Sequence, residues 1–281
     1  MKKIIILFFG LSVISGELLS TDQNYFIQNK GQWNKDALFL YKGNNQNIWI
    51  TRDGLKIDIF KYEKSKTEPS ITKTNDRQID SKIRKGDVIN MEFDNANKNS
   101  FEILNKNKCK MYYNYFIDSD SSKWVRKAPC YREIQIKNIY NGIHAKYYFE
   151  NDDVRYDIIV EPGADPGLIQ LNFSEHVDIG ISKSGELEIK SEIGMIKQGK
   201  IYAYQKIDNS NKEVSCNFVR NKNNSFSFSI CNYDKSKPLV IDPLVYLMSH
   251  SGRSSDGVNG YIPVDNQGYV YISGGTASND F

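Results

Sequence analysis

The stretch Arg52-Asp53-Gly54-Leu55-Lys56-Ile57-Asp58-Ile59-Phe60-Lys61-Tyr62 decides the fold class of this chain. Leu55, Ile57 and Ile59 alternate with Lys56 and Asp58, which is the period of a strand with one face buried and one wet. Arg52-Asp53-Gly54 reads as a tight turn, so this run should pair antiparallel with Asn47 to Thr51. The same logic applies along the chain. Cys130 to Ile136 and His144 to Phe149 flank Tyr140-Asn141-Gly142, and Val154 to Val160 returns across Asn151-Asp152-Asp153. Glu161 to Gly167 contains two prolines and is expected outside any sheet. Leu168 to Phe173, Val177 to Ile181, Glu186 to Ser191, Gly194 to Gln198 and Lys200 to Gln205 follow as short strands. A helical apolar period is nowhere sustained over three turns. The predicted class is therefore all-β, with strands about every 8 to 12 residues, as in sandwiches and barrels.

From Lys61 to Asp87 apolar residues thin out among Lys, Thr, Ser, Asp and Glu, and this segment is expected as a mobile surface loop. At the far end, Leu239 to Ile241, Leu244 to Met248 and Tyr269 to Ile272 are strand-length apolar runs between Gly-, Ser- and Asn-rich segments. Asp265 to Gly268 is a hairpin turn that should pair Ile262 to Asp265 with Tyr269 to Ser273.

With 281 residues, 40% of them hydrophobic and 12% aromatic, the chain can bury one or two ordinary cores. Its formal charge is +3, from 37 basic and 34 acidic residues spread without a concentrated run. That argues against nucleic acid as a partner. Lys2 and Lys3 precede an apolar run from Ile4 to Leu11, the pattern of a signal peptide, too short for the about 20 residues of a membrane span. Export is expected, with no transmembrane segment beyond the leader. Four cysteines fit an oxidising space. Cys216 and Cys231 lie in two strand-like runs and fall opposite each other if the turn is Asn223-Asn224, whereas a slip of one or two residues separates them. A bridge between Cys109 and Cys130 is the less favoured pairing.

Candidate chemistry is sparse. His144, His176 and His250 lack metal-ligand spacing, and no cofactor is expected. Asp118, Asp120, Asp165 and Asp242 are read as turn and backbone anchors rather than calcium or catalytic groups. Tyr112, Tyr113 and Tyr115 are the candidate binding surface, for sugars or a protein partner, against the alternative that they fill a core.

The segment N-Y-F-I-D-S-D-S-S-K-W, from Asn114 to Trp124, resembles the "NYFxGxDPxxW" run of a bacterial exported β domain of unknown function. I-Y-N-G-I-H-A-K-Y-Y at Ile139, Y-D-I-I-V-E-P-G-A-D-P at Tyr156 and P-L-V-I-D-P at Pro238 continue the resemblance. That domain precedes seven-bladed β-propeller repeats of the SBBP type. The segment from Leu244, ending V-D-N-Q-G-Y-V-Y-I-S-G-G-T-A-S-N-D-F at Phe281, is similar to the first such repeat, with Gly252 and Asp256 kept and a paired glycine lost. With the leader pattern setting residues 1–20 as signal peptide and the polar run setting the loop 61–87, the resemblance implies 21–241 as a β-sandwich-like exported domain and 242–281 as one partial propeller-type repeat. The expected role is a non-enzymatic surface or secreted module, structural or in contact with protein or glycan. The alternatives are an extracellular hydrolase or a fragment of a longer propeller protein.

Overall fold

The structure is a computed structural model that describes residues 24–64, 82–98, 101–116, 120–150 and 153–248, with the short pieces 257–258 and 274–275. In chain order the strands are β1 (Phe26–Gln28), β2 (Ala37–Lys42), β3 (Gln46–Thr51), β4 (Gly54–Lys64), β5 (Lys82–Phe93), β6 (Glu102–Tyr115), β7 (Val125–Tyr140), β8 (Ile143–Glu150) and β9 (Asp153–Val160). There follow β10 (Leu171–Phe173), β11 (Asp178–Ile181), β12 (Leu187–Lys190), β13 (Met195–Ile207), β14 (Ser210–Val214), β15 (Cys216–Arg220), β16 (Ser225–Ile230) and β17 (Leu239–Met248). Gly257–Val258 pairs separately with Gly274–Gly275, and the strands expected at 262–273 lie outside the described residues. The described residues contain no α-helix; two single 3₁₀ turns, Ser121–Lys123 and Pro166–Leu168, are capped by Asp120 and Asp165. The chain is all-β.

β1 to β17 form one continuous, nearly closed antiparallel sheet of 17 strands. One half runs β15-β16-β10-β5-β4-β3-β2-β1 and reaches β7 through Phe26↔Tyr131 and Ile27↔Cys130. The other half leaves the same strand through Glu133↔Tyr148 and proceeds β8-β9-β17-β13. β12 and β14 share the far side of β13 at its two ends, and β11 pairs with β12.

Alternation decides which side chains meet between the halves. Ile48, Ile50, Leu55, Ile57, Ile89 and Met91 come from the first half. They pack in one core with Ile134, Tyr156, Ile158, Ile189, Ile196 and Ile241 of the second. Gln198 is a polar exception within this core, and its amide donates to the hydroxyl of the equally buried Tyr156. Pairing the two polar groups avoids the cost of burying either alone.

Expected hairpins form at Arg52-Asp53-Gly54, with Ile50↔Leu55, and at Asn141-Gly142, with Tyr140↔Ile143. The edges of the expected loop 61–87 are instead strand, because β4 runs to Lys64 and β5 starts at Lys82, with Lys64↔Lys82 as the last pair. Backbone pairing continues there although the side chains, Tyr62 and Ile83 included, are exposed, and Arg84 binds Asp58 through Nη2 at 2.6 and 2.7 Å while lying over Phe60. The runs 194–198 and 200–205 are one strand with an irregularity between Gln198 and Ile201. β17 likewise passes through the expected domain boundary at 241/242. Pro243 is tolerated because the ladder to β9 stops at Ile241, so no N–H is demanded of it on that side.

Gly54 opens β4 at φ +149°, and a Cβ there would overlap the carbonyl oxygen of Met91 on β5. Gly54→Ala should therefore destabilise the protein by about 3 kcal/mol. A urea unfolding midpoint within error of wild type would contradict this reading of the β4–β5 approach.

Candidate functional site

β6 and β7 extend together as an arm, and β6 pairs with no other strand among the described residues. Its two faces differ in chemistry. Cys109, Met111, Tyr113 and Tyr115 turn inward and, with Ala128 and Cys130, build a second small cluster around Ile27, with Tyr25 and Trp33 also packed there. Tyr25 and Tyr113 join through their hydroxyls, and Trp33 stands edge-on to both Trp49 at 5.1 Å and Tyr115 at 5.3 Å. Burial raises the Tyr25, Tyr113 and Tyr115 hydroxyls above the usual tyrosine range, so all three stay neutral.

The other face carries Lys108 and Lys110, both exposed, followed by Tyr112 at 51% exposure and Phe116 at 56%; Lys106, before the positive-φ Asn107, lies opposite Glu133 and 3.5 Å from its carboxylate. Across the turn, Trp124 stands edge-on to Phe116 at 5.0 Å. Lys127 lies 5.9 Å from the ring centre of Tyr112, and Arg126 lies 5.9 Å from that of Phe116. Asn114 anchors the pairing by accepting from the Lys127 backbone N–H at 2.9 Å. The three candidate tyrosines are thus divided: Tyr113 and Tyr115 fill the small cluster, and Tyr112 alone is on the open face. Phe116, Trp124 and the lysines join it there. The alternation K-C-K from Lys108 to Lys110 was the available signal, since on a strand it places both ammonium groups on one side.

A second polar constellation lies across β8, β9 and β17. Pairing sets Lys146 beside Asp157, and the register that joins Ile158 to Ile241 sets Asp157 beside Asp242. Arg155 Nη2 donates to both Asp242 oxygens at 2.8 and 3.0 Å, and Nη1 lies 3.0 Å from Glu150. Tyr148 donates to Asp157 Oδ1 at 3.0 Å, Lys146 lies 3.8 Å from Asp157 Oδ2, and Glu133 sits 3.9 Å from the same lysine. The anchoring role expected of Asp242 is met by this ion pair rather than by a turn. Desolvation, then the Asp242 charge, pushes the Asp157 carboxyl up to about 6, against the lowering by Tyr148, Lys146 and Arg155. Both carboxylates are thus held by neighbours on their own sheet, in a structural network.

The remaining candidates are scattered. His144 is buried, accepts from the Asn138 N–H through Nδ1 and lies 3.4 Å from Glu161. His176 is exposed and sits 2.9 Å from Asp87. Asp120 and Asp165 accept from Ser122 and Gly167 N–H groups, as turn caps do. His250 and Asp118 lie outside the described residues. No cluster of metal-ligating side chains occurs among the described residues, and no helix among them is long and apolar enough to cross a membrane. The β15–β16 hairpin turns over Lys222-Asn223-Asn224, with both asparagines at positive φ, so Cys216 faces Ile230 rather than Cys231. That one-residue shift leaves Cys216 buried and Cys231 exposed, and all four cysteines are free thiols.

The family whose model matches this chain is described as Domain of unknown function (DUF7948), over residues 26–244. No curated protein and no solved structure matches the chain.

The Asp157 carboxyl gives stability a definite slope. The folded state holds this proton more tightly than the unfolded chain, whose ordinary value is 3.8. Its contribution therefore falls as pH rises from about 4 to about 6, by about 2–3 kcal/mol, and is level above that. Asp157→Asn should remove this fall, measured as the difference in urea midpoint between pH 4 and pH 7 for variant and wild type. A variant that keeps the full wild-type difference would show that another group is responsible.

Proposed function

The chain belongs to the DUF7948 family of unknown function, and on that footing we propose that it is an exported, non-enzymatic surface or secreted module that works by contact. The binding surface is the outward face of the β6–β7 arm, and the ligand class is an acidic glycan. One observation carries this reading: exposed Tyr112 and Phe116 are flanked by Lys108, Lys110, Arg126 and Lys127 on two adjacent strands. Lysines two residues apart on a strand stand about 7 Å from one another. Such a row matches repeated carboxylates or sulfates along a flexible chain, while the aromatic rings offer faces for the apolar side of a sugar.

The bland account of the same lysines is protection of an edge strand. It explains charges on β6, and also the irregular register between Lys108 and Tyr112, which hinders addition of a further strand. It leaves unexplained the exposed Tyr112 and Phe116 at the tip of the arm, the latter beside the half-buried Trp124. The leader-like Lys2 to Ile14 supports export and favours glycan over nucleic acid as the polyanion. By resemblance, the wrapped sheet is read as sandwich-like, and residues 242–281 as an SBBP-type repeat of bacterial origin. The hydrolase alternative gains nothing from Asp157 and Asp242, whose oxygens are engaged by Tyr148 and Arg155.

Titration of the full chain with dextran, dextran sulfate, hyaluronate and single-stranded DNA checks this proposal. Binding is expected for the acidic polysaccharides, absent for neutral dextran and weakened by salt. Tyr112→Ala combined with Lys108→Ala and Lys110→Ala should weaken it by about 10-fold or more without moving the thermal midpoint, since exposed residues carry little stability. Tighter binding to the DNA, or equal binding by the triple variant, would overturn it.

A further inference from the structure

The two cysteines of the arm occupy a special place in the register. Lys106↔Glu133 and Lys108↔Tyr131 are paired on β6 and β7. Continued by one residue, that register would bring Cys109 level with Cys130; the ladder shifts between Lys108 and Tyr112. Both belong to the small cluster on the back of the sheet. A row of side chains crosses the strands there: Trp49 faces Leu40, Leu40 faces Ile27, and Ile27 faces Cys130. Cys109 is the outermost member of this row. Cys130 is fully buried and Cys109 half-buried, so both sulfurs sit on the same covered side of the arm.

From this geometry we propose that Cys109 and Cys130 are a thiol pair built to close into a cross-strand disulfide that staples the arm to the sheet. Opposed residues of an antiparallel pair have Cα atoms about 4.5–5.5 Å apart, inside the span a disulfide bridges. Their Cβ atoms are about 4.5–5.5 Å apart against about 3.8 Å in a bridge, so closure needs a shift of roughly 1 Å. β6 can supply that shift. It is an edge strand among the described residues, Asn107 two residues earlier adopts φ +55°, and the register shifts between Lys108 and Tyr112.

The chemistry is exchange with an external disulfide such as oxidised glutathione. The thiolate of Cys109, the more accessible of the two, attacks one sulfur of that disulfide and expels one glutathione thiolate, forming a mixed disulfide. The thiolate of Cys130 then attacks Sγ of Cys109 and expels the second glutathione. Two protein thiols are oxidised, one external disulfide is reduced, and the two protons pass to solvent. Burial, then the nearby Cys109, pushes the Cys130 thiol up to about 12, so the second step should quicken as pH rises through 7 to 9. Cys216 and Cys231 have no such relation, being offset by one residue on their hairpin. The inference is independent of what ligand the arm binds, and a failed glycan titration would leave it standing.

The full chain is equilibrated with oxidised glutathione, denatured, alkylated and mapped by mass spectrometry after proteolysis. A linked peptide containing Cys109 and Cys130 is expected, together with a thermal midpoint about 5 °C or more above that of the reduced chain. Cys109→Ser should abolish this redox dependence of the midpoint, and the double variant Cys216→Ser/Cys231→Ser should retain it. Alkylation of all four cysteines after equilibration, a stable glutathione adduct on Cys109, or a link through Cys216 or Cys231 in place of this one would each overturn the proposal.

Discussion

One edge of β7 serves two neighbours, and the rest of the structure depends on that division. From Glu133 to Tyr140 the edge belongs to β8, and at Cys130 and Tyr131 it belongs to β1. A strand long enough to be shared lets the first strands of the chain join the later ones without leaving an open seam. The two runs of sheet that diverge from it then face one another, and alternation sends Phe26, Ile48 and Ile57 from one side to meet Ile134, Ile158 and Ile189 from the other. Without the shared strand the core would divide into two half-sheets, each with an apolar face exposed to water.

Sharing has a second effect, on the outer surface. Where β7 leaves β8 for β1, it carries β6 along, and the inward face of that arm covers Ile27 with its own small cluster. Among the described residues the arm is consequently anchored on one side and unpaired along its other edge. A basic, aromatic surface on such a mount is well suited to contact, because its side chains are presented by strands rather than by a loop. The Asp157–Asp242–Arg155 network serves the opposite purpose on the other half of the sheet, where it fastens β9 to β17.

Much of the fold was legible wherever one local signal sufficed. Leu55, Ile57 and Ile59 announced a strand, and Asp53-Gly54 and Asn141-Gly142 announced hairpins that the structure contains. Period two tells which face of a strand is buried but carries nothing about which distant strand it will join. That is why the union of β1 with β7 and the place of β17 between β9 and β13 were out of reach. The Asn-rich turn shows the same limit on a finer scale: with the four residues Asn221-Lys222-Asn223-Asn224 in succession, more than one turn length is compatible, and a shift of a single residue moved Cys231 away from Cys216. Tyr112 was separable from Tyr113 and Tyr115 by parity alone. The gathering of Phe116, Trp124, Arg126 and Lys127 around it required the return strand to be in place.

β17 is the only ladder by which β11 to β14 are tied to the remaining strands of the main sheet among the described residues. It comes after all of them in the chain. During synthesis or passage through a narrow pore, more than 200 residues must therefore emerge before the two regions can be joined. Such a topology delays cooperative folding until late and makes it slow, because the joining contacts span long stretches of chain. A polypeptide wired this way remains threadable for as long as its last connecting strand is withheld.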